Sequence, residues 1–284
     1  MTYRELYEQG CETLKKAGIE EATLDARLLL EYVCHTNRND LLIHGERSVE
    51  EACQKNYYEL LEARAERIPL QHLTGVQEFM GLEFRVNEHV LIPRQDTEIL
   101  VEEVLKNLHD GMRILDMCTG SGCIVLSLLH YSNGCEGVGV DISEEALAVA
   151  RENAAVILEK AGQTEVQCDF VQSNLFENVT GQYEFIVSNP PYIQSAVIDT
   201  LMPEVREHEP RLALDGTEDG IFFYRRIVEE APDFLTSGGM LYFEIGYDQA
   251  ESVSALMNNA GFVEINIVKD YAGLDRVVYG TYIK

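Results

Sequence analysis

The feature that most restricts the fold of this chain is the regular alternation of short apolar runs and helical segments after residue 113. The apolar runs predict five strands, at residues 113–117, 136–141, 166–171, 183–188 and 240–245. Helices are predicted between these strands at 123–129, 144–160 and 222–235, and after the last of them at 252–260. Ser143 is expected to cap the second helix. Such alternation is typical of a doubly wound α/β sheet of parallel strands. Two last β runs, 264–269 and 276–282, predict an antiparallel hairpin at one edge.

The N-terminal segment, residues 1–71, has a different pattern and predicts a small helical bundle domain. Apolar residues recur there at helical spacing, and two capping boxes mark helix starts. The boxes are Thr2 with Glu5 and Ser48 with Glu51. Nothing in this segment has a catalytic pattern, so it is expected to serve packing or partner recognition.

A short stretch with β-like runs separates the helical segment from the alternating part. Residues 72–92 contain such runs on either side of Gly81, which predicts a β-hairpin linker. The sheet domain is therefore expected to occupy residues 93–284.

The charge of the chain limits the kind of partner it can bind. The formal net charge is −27, and residues 86–284 alone carry 33 acidic against 12 basic side chains. Proteins that bind nucleic acid directly usually present basic surfaces, because contacts with phosphates dominate their affinity. Free nucleic acid is therefore a less expected substrate than a basic protein.

The cysteines and the apolar runs indicate a reducing compartment and no membrane span. The seven cysteines are an odd number and include no CxxC pair, so neither disulfides nor a metal site is expected. No apolar run reaches about 18 residues, and the N-terminus lacks the basic-then-apolar order of a secretion signal. The expected location is the cytoplasm, and the chain is expected to act as a monomer.

The sequence Asn189-Pro190-Pro191-Tyr192 follows a predicted strand and carries the clearest chemical signal. The asparagine oxygen and a prolyl-flanked carbonyl can each accept an N–H, and the tyrosine ring can stack on a plane. The prolines stiffen this turn before a substrate arrives. The four residues suit a planar group with N–H donors, such as a side-chain amide or the exocyclic amine of a base. A simple strand-ending turn has the same pattern.

The turn after the first predicted strand indicates a nucleotide-like cofactor. It reads Asp116-Met117-Cys118-Thr119-Gly120-Ser121-Gly122, in which small residues allow the backbone to approach a ligand. The second predicted strand ends in Asp141, whose carboxylate can accept both hydroxyls of a ribose. The dinucleotide fingerprint lacks its third glycine here, and Asp116 would oppose a pyrophosphate. An acid in that place suits a cationic amino-acid tail, and S-adenosylmethionine combines such a tail with a ribose and an adenine.

Together these segments resemble the class I, S-adenosylmethionine-dependent methyltransferases. The chain is most similar to the protein-(glutamine-N5) methyltransferases that modify peptide chain release factors. The resemblance covers nearly the whole chain and rests on residues 92–98, 115–122, 187–192, 209–220 and 244–246. The Asn-Pro-Pro-Tyr motif alone is shared with adenine-N6 methyltransferases, so the first and fourth of these stretches make the distinction. The family's fold implies a Rossmann-like methyltransferase sheet preceded by a helical domain.

The resemblance also implies roles for individual residues. The methyl acceptor would be the glutamine of the Gly-Gly-Gln motif in a release factor, methylated on its side-chain nitrogen N5. The clamp on its amide would be Asn189, Pro190, Pro191 and Tyr192, with Asn189, Pro190 and Tyr192 as candidate catalytic residues. The residues expected at S-adenosylmethionine are Cys118, Thr119, Gly120, Ser121, Gly122, Asp141, Asn174, Leu175 and Asn189. Positioning of the nitrogen against the sulfonium methyl is the expected mechanism, without a general base.

Four positions depart from the pattern of that family. Cys118 stands where a glycine is usual, and its small side chain is expected to fit with a negative φ angle. Asn174 replaces the usual acid and Leu175 an often aromatic residue on the adenine side, and Gln95 replaces a common proline. The adenine contact is therefore the least defined part of the expected site.

Other functions share parts of these motifs. An adenine-N6 methyltransferase would use the same clamp and cofactor, but it would need a basic surface for base flipping, and the acidic charge counts against that. Glutamine methylation of a ribosomal protein would use the same chemistry. A non-enzymatic module that binds S-adenosylmethionine would not need Asn189.

Three glutamates outside the clamp and the cofactor loop are also candidates for a functional role. Glu98 and Glu204 are candidates for lining the pocket or binding arginines of a partner. Glu244 is expected to be structural or close to the cofactor.

Overall fold

The structure is a computed structural model that describes residues 1–160 and 167–284. Its N-terminal helices form the predicted helical bundle. They are α1 Tyr3–Lys16, α2 Ala22–Cys34, α3 Arg38–Ile43, α4 Glu51–Ala65 and α5 Leu70–Thr74. The capping box of α1 is confirmed, because Thr2 Oγ1 accepts a hydrogen bond from the Glu5 N–H at 3.3 Å and Glu5 accepts one from the Thr2 N–H at 2.9 Å. The second predicted box is wrong: α4 starts after Glu50, and Ser48 forms a β-bridge with Thr2 instead.

The chain divides into two compact units. The helical unit comprises Met1–Val76 together with Met202–His208, and the sheet unit comprises Gln77–Leu201 together with Glu209–Lys284. Each unit has a hydrophobic core of its own, around the fully buried Tyr57 in the helical unit and on both faces of the sheet in the other.

The segment Met202–His208 joins the helical unit through buried charges. The Glu204 carboxylate accepts hydrogen bonds from Arg64 and Arg67, each at 3.2 Å. Arg64 also donates to Asp25 at 2.8 Å. Asp25, Arg64 and Glu204 are buried, and Arg67 is partly exposed. Removing one member would leave a buried charge without its partner, so this cluster fixes the segment within the unit.

A two-stranded hairpin, β1 Val76–Phe79 and β2 Leu82–Arg85, precedes the main sheet. Met80 and Gly81 have positive φ angles of 52° and 70°, as the central residues of a tight hairpin turn require. The Glu98 carboxylate accepts a hydrogen bond from the Met80 N–H at 2.6 Å and so supports this turn.

Within the described residues the main sheet has seven strands: β3 Arg113–Met117, β4 Glu136–Asp141, β5 Cys168–Gln172, β6 Tyr183–Ser188, β7 Leu235–Glu244, β8 Phe262–Lys269 and β9 Asp275–Tyr282. Their order is β5-β4-β3-β6-β7-β9-β8. The first five strands are parallel, and β9 is antiparallel to both of its neighbours. The predicted doubly wound sheet and its antiparallel C-terminal hairpin are therefore confirmed.

The remaining helices are α6 Gln95–Asn107, α7 Cys123–His130, α8 Glu144–Lys160, α9 Ser195–Ile198, α10 Pro203–His208, α11 Arg211–Leu214, α12 Phe222–Phe234 and α13 Ala250–Asn259. Apolar side chains of α6, α7 and α8 fill the core on one face of the sheet, and those of α12 and α13 fill the other. Ser143 caps α8 as predicted, because its Oγ accepts a hydrogen bond from the Ala146 N–H at 3.1 Å. Across residues 1–160 and 167–284, none of the helices has the length and apolar character that a bilayer crossing needs.

Strand β7 starts earlier than the sequence predicts. β7 begins at Leu235 rather than at residue 240, because its ladder with β6 starts at the pair Tyr183 and Leu235 and passes a register shift before Phe185. The predicted start of the third strand, Val166, lies outside the described residues.

Candidate active site

The site lies where the strand order of the sheet changes direction. Strands β4 and β5 lie on one side of β3 in the sheet, and strands β6 and β7 lie on the other. Ligands of open parallel sheets bind beyond the carboxyl ends of the strands at such a point. The ends of β3 and β6 are joined directly, since Ser188 Oγ donates a hydrogen bond to the Met117 carbonyl at 2.5 Å. The two motif-bearing loops are therefore neighbours.

A cavity of about 450 Å³ opens between these loops, entirely within the sheet unit. Nine of the predicted site residues line it: Cys118, Thr119, Gly120, Ser121, Asp141, Asn174, Leu175, Asn189 and Pro191. Three others do not reach its wall: Gly122, Pro190 and Tyr192. The structure thus brings most of the predicted cofactor and substrate residues to one chamber.

The loop after β3 is shaped by its backbone. Cys118, Gly120 and Gly122 have positive φ angles of 63°, 55° and 78°. The expectation of a negative φ at Cys118 is therefore wrong: this residue keeps the left-handed conformation that a glycine adopts freely. For a residue with a side chain that conformation costs about 1–3 kcal/mol. Gly122 is needed for space as well, because a Cβ there would lie 3.0 Å from Leu126 Cδ1.

Asp116 braces this loop from beneath and does not line the cavity. Its Oδ2 accepts hydrogen bonds from Thr119 Oγ1 at 2.6 Å and from the Val125 N–H at 3.3 Å. Its Oδ1 is buried and accepts none from the residues that the structure describes. Burial raises the pKa of Asp116 to about 7, against the effect of these two donors. The acid is therefore part of the support of the loop, one layer below any ligand.

Asp141, at the end of β4, is bound to the same loop. Its Oδ2 accepts a hydrogen bond from the Gly120 N–H at 2.9 Å, and its Oδ1 accepts one from the Ser143 N–H at 3.0 Å. Burial raises the pKa of this carboxyl, and the backbone donors of Ser143 and Gly120 oppose the rise. A carboxylate has about four acceptor positions, so two remain for hydroxyl groups in the cavity.

The stretch after β5 forms the opposite wall. Leu175 is buried with a φ of 53°, and its side chain provides an apolar surface. The Asn174 amide is already engaged at both ends: Nδ2 donates to Glu177 at 2.6 Å, and Oδ1 accepts from Arg226 at 3.3 Å. Asn174 therefore presents little free hydrogen-bonding capacity to a ligand.

The clamp after β6 is shaped by side chains instead. Asn189 Nδ2 donates to Thr97 Oγ1 at 3.3 Å, while its Oδ1 accepts no hydrogen bond from the described parts of the chain. The Tyr192 hydroxyl donates to Glu244 Oε1 at 3.3 Å, and its ring packs on the core beside the cavity. Burial, with the nearby Glu244 carboxylate, raises the pKa of Tyr192, so the hydroxyl keeps its proton.

Gln249 supports the clamp from behind and was not identified from the sequence. Its Nε2 donates to the carbonyls of Tyr192 at 3.0 Å and Gly220 at 3.2 Å, and its Oε1 accepts from the Gly246 N–H at 2.9 Å. The loop at Gly220 passes so close that a Cβ there would lie 2.5 Å from the Tyr192 carbonyl oxygen. No local pattern in the sequence signals this role of Gln249.

One further pair at the cavity was not singled out. Arg94 lines the cavity and donates to the buried Glu209 at 2.5 Å. Burial raises the pKa of Glu209, and the guanidinium of Arg94 opposes the rise. Arg94 and Glu209 lie in two of the stretches on which the family resemblance rests. That resemblance is the sequence signal that points to this pair.

Two family models match parts of this chain. Residues 5–75 match the model of the PrmC N-terminal domain, and residues 94–217 match that of the methyltransferase small domain. A methyltransferase structure from Pyrococcus furiosus shares the fold, with a TM-score of 0.54 and 18% identity over 78% of this chain and 100% of that one.

Two curated relatives extend over nearly the whole chain. The release factor glutamine methyltransferase of Caulobacter vibrioides is 43% identical over 273 residues, covering 95% of this chain and 92% of the relative. That of Clostridium botulinum is 38% identical over 283 residues, covering 98% of each. The family resemblance seen in the sequence is thereby confirmed: the chain belongs to the release factor glutamine methyltransferases.

Proposed function

We propose that this enzyme transfers a methyl group from S-adenosylmethionine to the side-chain nitrogen N5 of the glutamine in a release factor's Gly-Gly-Gln motif. The observation that carries the proposal is that Asn189 lines the same cavity as the β3 loop and Asp141, with an Oδ1 that accepts no hydrogen bond from residues 1–160 or 167–284. An acceptor for an amide N–H thus faces the residues expected at the cofactor.

The residues of the cavity fit S-adenosylmethionine. A volume of about 450 Å³ is within the usual range for a small-molecule site. Asp141 has acceptor positions left for the ribose hydroxyls, and Leu175 offers an apolar wall to the adenine. The Asp116 carboxyl supports the loop from beneath through its hydrogen bond from Thr119 Oγ1. When bound, S-adenosylmethionine supplies the activated methyl group.

The residues of the clamp hold the acceptor amide. Asn189 Oδ1 is proposed to accept one of its N–H groups. Contacts of the amide with the Pro190 carbonyl and the Tyr192 ring, which lie beside the cavity and not on its wall, belong to the same proposal. These acceptors favour the positive charge that develops on the nitrogen during transfer. Fixing the nitrogen in line is the main source of acceleration, and the product nitrogen releases its proton to water without a general base.

The direct test is methyl transfer to a purified release factor, read by peptide mass. We expect a gain of one methyl group on the Gly-Gly-Gln peptide with wild-type enzyme, and none when that glutamine is replaced. A methyl group on a different peptide would contradict the proposed acceptor. Labelled methyl transferred instead to purified RNA or DNA would favour the adenine-N6 alternative, which the net charge of −27 disfavours.

Residues 1–71 are proposed to recognise the release factor outside its glutamine loop. A second contact region should lower the KM of the whole factor below that of a Gly-Gly-Gln peptide by at least about tenfold. Steady-state kinetics on the two substrates with the full chain test this. Equal KM values would count against a docking role for the helical unit.

The proposal places the enzyme in the cytoplasm. All seven cysteines are unpaired, which is the usual state of thiols in a reducing compartment. Cell fractionation with an antibody against the protein tests this placement.

A further inference from the structure

The segment between β2 and α6, residues 86–94, forms part of the cavity wall, and we call it the strap. It packs on α8 through a small buried cluster of four residues: Val86, Val90, Ala146 and Val149. Six of its nine residues line the cavity: Glu88, His89, Val90, Leu91, Pro93 and Arg94. The strap is therefore part of the candidate site, although the sequence predicts most of it as part of a linker.

Both ends of the strap are held by buried side chains. At its C-terminal end, Arg94 donates to the buried Glu209 at 2.5 Å. At its N-terminal end it continues from Arg85, the last residue of β2, which forms two hydrogen bonds with Asn153 of α8. The Arg85 N–H donates to Asn153 Oδ1 at 2.7 Å, and Asn153 Nδ2 donates to the Arg85 carbonyl at 3.1 Å. Asn153 is only 1% exposed.

The same side chain also holds the β3 loop. Asn153 Nδ2 donates a second hydrogen bond, to the Ser121 carbonyl at 2.9 Å. The peptide group that follows Ser121 is fixed at its other end as well, because the Gly122 N–H donates to the Thr119 carbonyl at 2.9 Å. Since Ser121 and the strap both line the cavity, one buried amide joins two parts of its wall.

The three hydrogen bonds of Asn153 require an amide in one orientation. Nδ2 faces two carbonyl oxygens and Oδ1 faces an N–H, so a reversed amide would place like groups together at all three contacts. A carboxylate could not donate to either carbonyl, and an apolar side chain would leave all three backbone groups without this partner. The connection between the strap and the β3 loop therefore depends on this side chain.

We propose that Asn153 is a positioning residue for S-adenosylmethionine, because it fixes the distance between the strap and the β3 loop. Asn153 is not among the residues that line the cavity, so it acts through Ser121 and the strap. A ligand that contacts both walls binds more tightly when their spacing is set before it arrives, since less ordering remains to be done on binding. This inference rests on the proposed function, because it takes S-adenosylmethionine as the occupant of the cavity.

The same connection has a consequence in the opposite direction. A ligand held by the β3 loop and the strap must be released, at least from one wall, before the strap can open. Local opening of the strap and of β2 should therefore become rarer when S-adenosylmethionine is bound.

Calorimetric titration of the full chain with S-adenosylmethionine tests the role of Asn153 through Asn153→Ala. The matched control is Asn107→Ala, because Asn107 Nδ2 donates to the Tyr242 hydroxyl at 2.9 Å and Asn107 does not line the cavity. Both variants should lose stability in urea denaturation. Only Asn153→Ala should raise the dissociation constant of S-adenosylmethionine, by about tenfold or more.

Two results of this titration would overturn the inference. An unchanged dissociation constant in Asn153→Ala, with stability lowered as in Asn107→Ala, would show that Asn153 supports the fold alone. An equal rise of the dissociation constant in both variants would show that any loss of stability weakens binding.

Hydrogen exchange of the wild-type chain, followed by mass spectrometry, needs neither a variant nor methyl transfer. With S-adenosylmethionine bound, exchange should slow by about tenfold or more in peptides that cover residues 82–92 and in those that cover residues 118–124. Peptides from β8, an edge strand of the sheet, are the internal control and should not change. Slower exchange at residues 118–124 alone would overturn the coupling between the strap and the β3 loop.

Failure of the proposed function would give a different result. S-adenosylmethionine would then bind with the expected protection, but the wild-type enzyme would not methylate the Gly-Gly-Gln peptide. No binding of S-adenosylmethionine at all would overturn the proposed cofactor and this inference together.

Discussion

The two loops that meet at the site, the β3 loop and the clamp, achieve their shapes by opposite means. In the β3 loop, positive φ angles at Cys118, Gly120 and Gly122 set the path of the chain. From Asn189 to Tyr192 no residue has a positive φ, and distant side chains such as Thr97 and Gln249 hold the motif. One loop stores strain in its backbone, and the other depends on buried hydrogen bonds.

This difference suits what each loop contacts. The cofactor is the same in every turnover, so a loop with a fixed backbone conformation can bind it. Such a loop needs few side-chain contacts to keep its shape. The substrate amide must be recognised by hydrogen-bond donors and acceptors that are correctly oriented. Side chains held in a defined hydrogen-bond network provide that orientation. Substitutions in the clamp should therefore affect turnover, and those in the β3 loop should affect stability.

The largest effect is expected from Asn189→Ala in the clamp. Loss of the amide oxygen removes orientation of the acceptor, so kcat should fall by about 10²–10⁴-fold. The dissociation constant of S-adenosylmethionine, measured by calorimetry, should stay within about threefold. Asn133→Ala, at a surface position, is the control. Near-normal turnover in Asn189→Ala would remove the basis of the proposed mechanism.

The next largest effect concerns Asp116 under the β3 loop and depends on pH. Its pKa of about 7 lies above that of an unfolded aspartate, about 3.9. Between these values the folded chain holds a proton that the unfolded chain has lost, so this group makes stability fall as pH rises, until about pH 7. Asp116→Asn removes the titration and should gain about 2–3 kcal/mol relative to wild type between pH 5 and pH 8.

Urea denaturation at the two pH values measures this change. Asp110→Asn, at an exposed loop position, is the matched control. A constant difference between Asp116→Asn and wild type at both pH values would show that Asp116 does not titrate in this range.

A smaller effect is expected from Gln249→Ala behind the clamp. The carbonyls of Tyr192 and Gly220 lose their donor, so the clamp should loosen and kcat should fall by about tenfold. Gln77→Ala is the control, because among the described residues the Gln77 amide bonds only to the neighbouring Glu78 carbonyl, at 2.8 Å. If Gln249→Ala lowered stability but left kcat unchanged, the residue would support the fold and not the clamp.

The smallest effect separates strain from side-chain loss at Cys118. Cys118→Gly and Cys118→Ala both remove the thiol, but only glycine adopts the positive φ without cost. The glycine variant should be more stable than the alanine variant by about 0.5–1 kcal/mol, against the usual order of these residues. Thermal melts of the two variants decide the point, and an alanine variant at least as stable would show that the loop bears no strain there.

The sequence predicts well what adjacent residues determine. The alternation of strands and helices, the Ser143 cap and the positions of both motifs depend on local pattern, and the structure bears them out in the sheet and at α8. The φ angle of Cys118 was predicted wrongly, because side-chain size says little about the path that a turn must take. Thr97 and Gln249 were overlooked because they meet the clamp across 92 and 57 residues of chain.

The segment Met202–His208 has a consequence for how the chain is made. The chain leaves the sheet unit before this segment and returns after it, so the helical unit is discontinuous and three peptide bonds join the two units. During synthesis, α1 to α5 emerge first, yet Arg64 meets Glu204 only once some 140 further residues have been translated. The N-terminal unit can therefore be completed only late, after Glu204 has been translated.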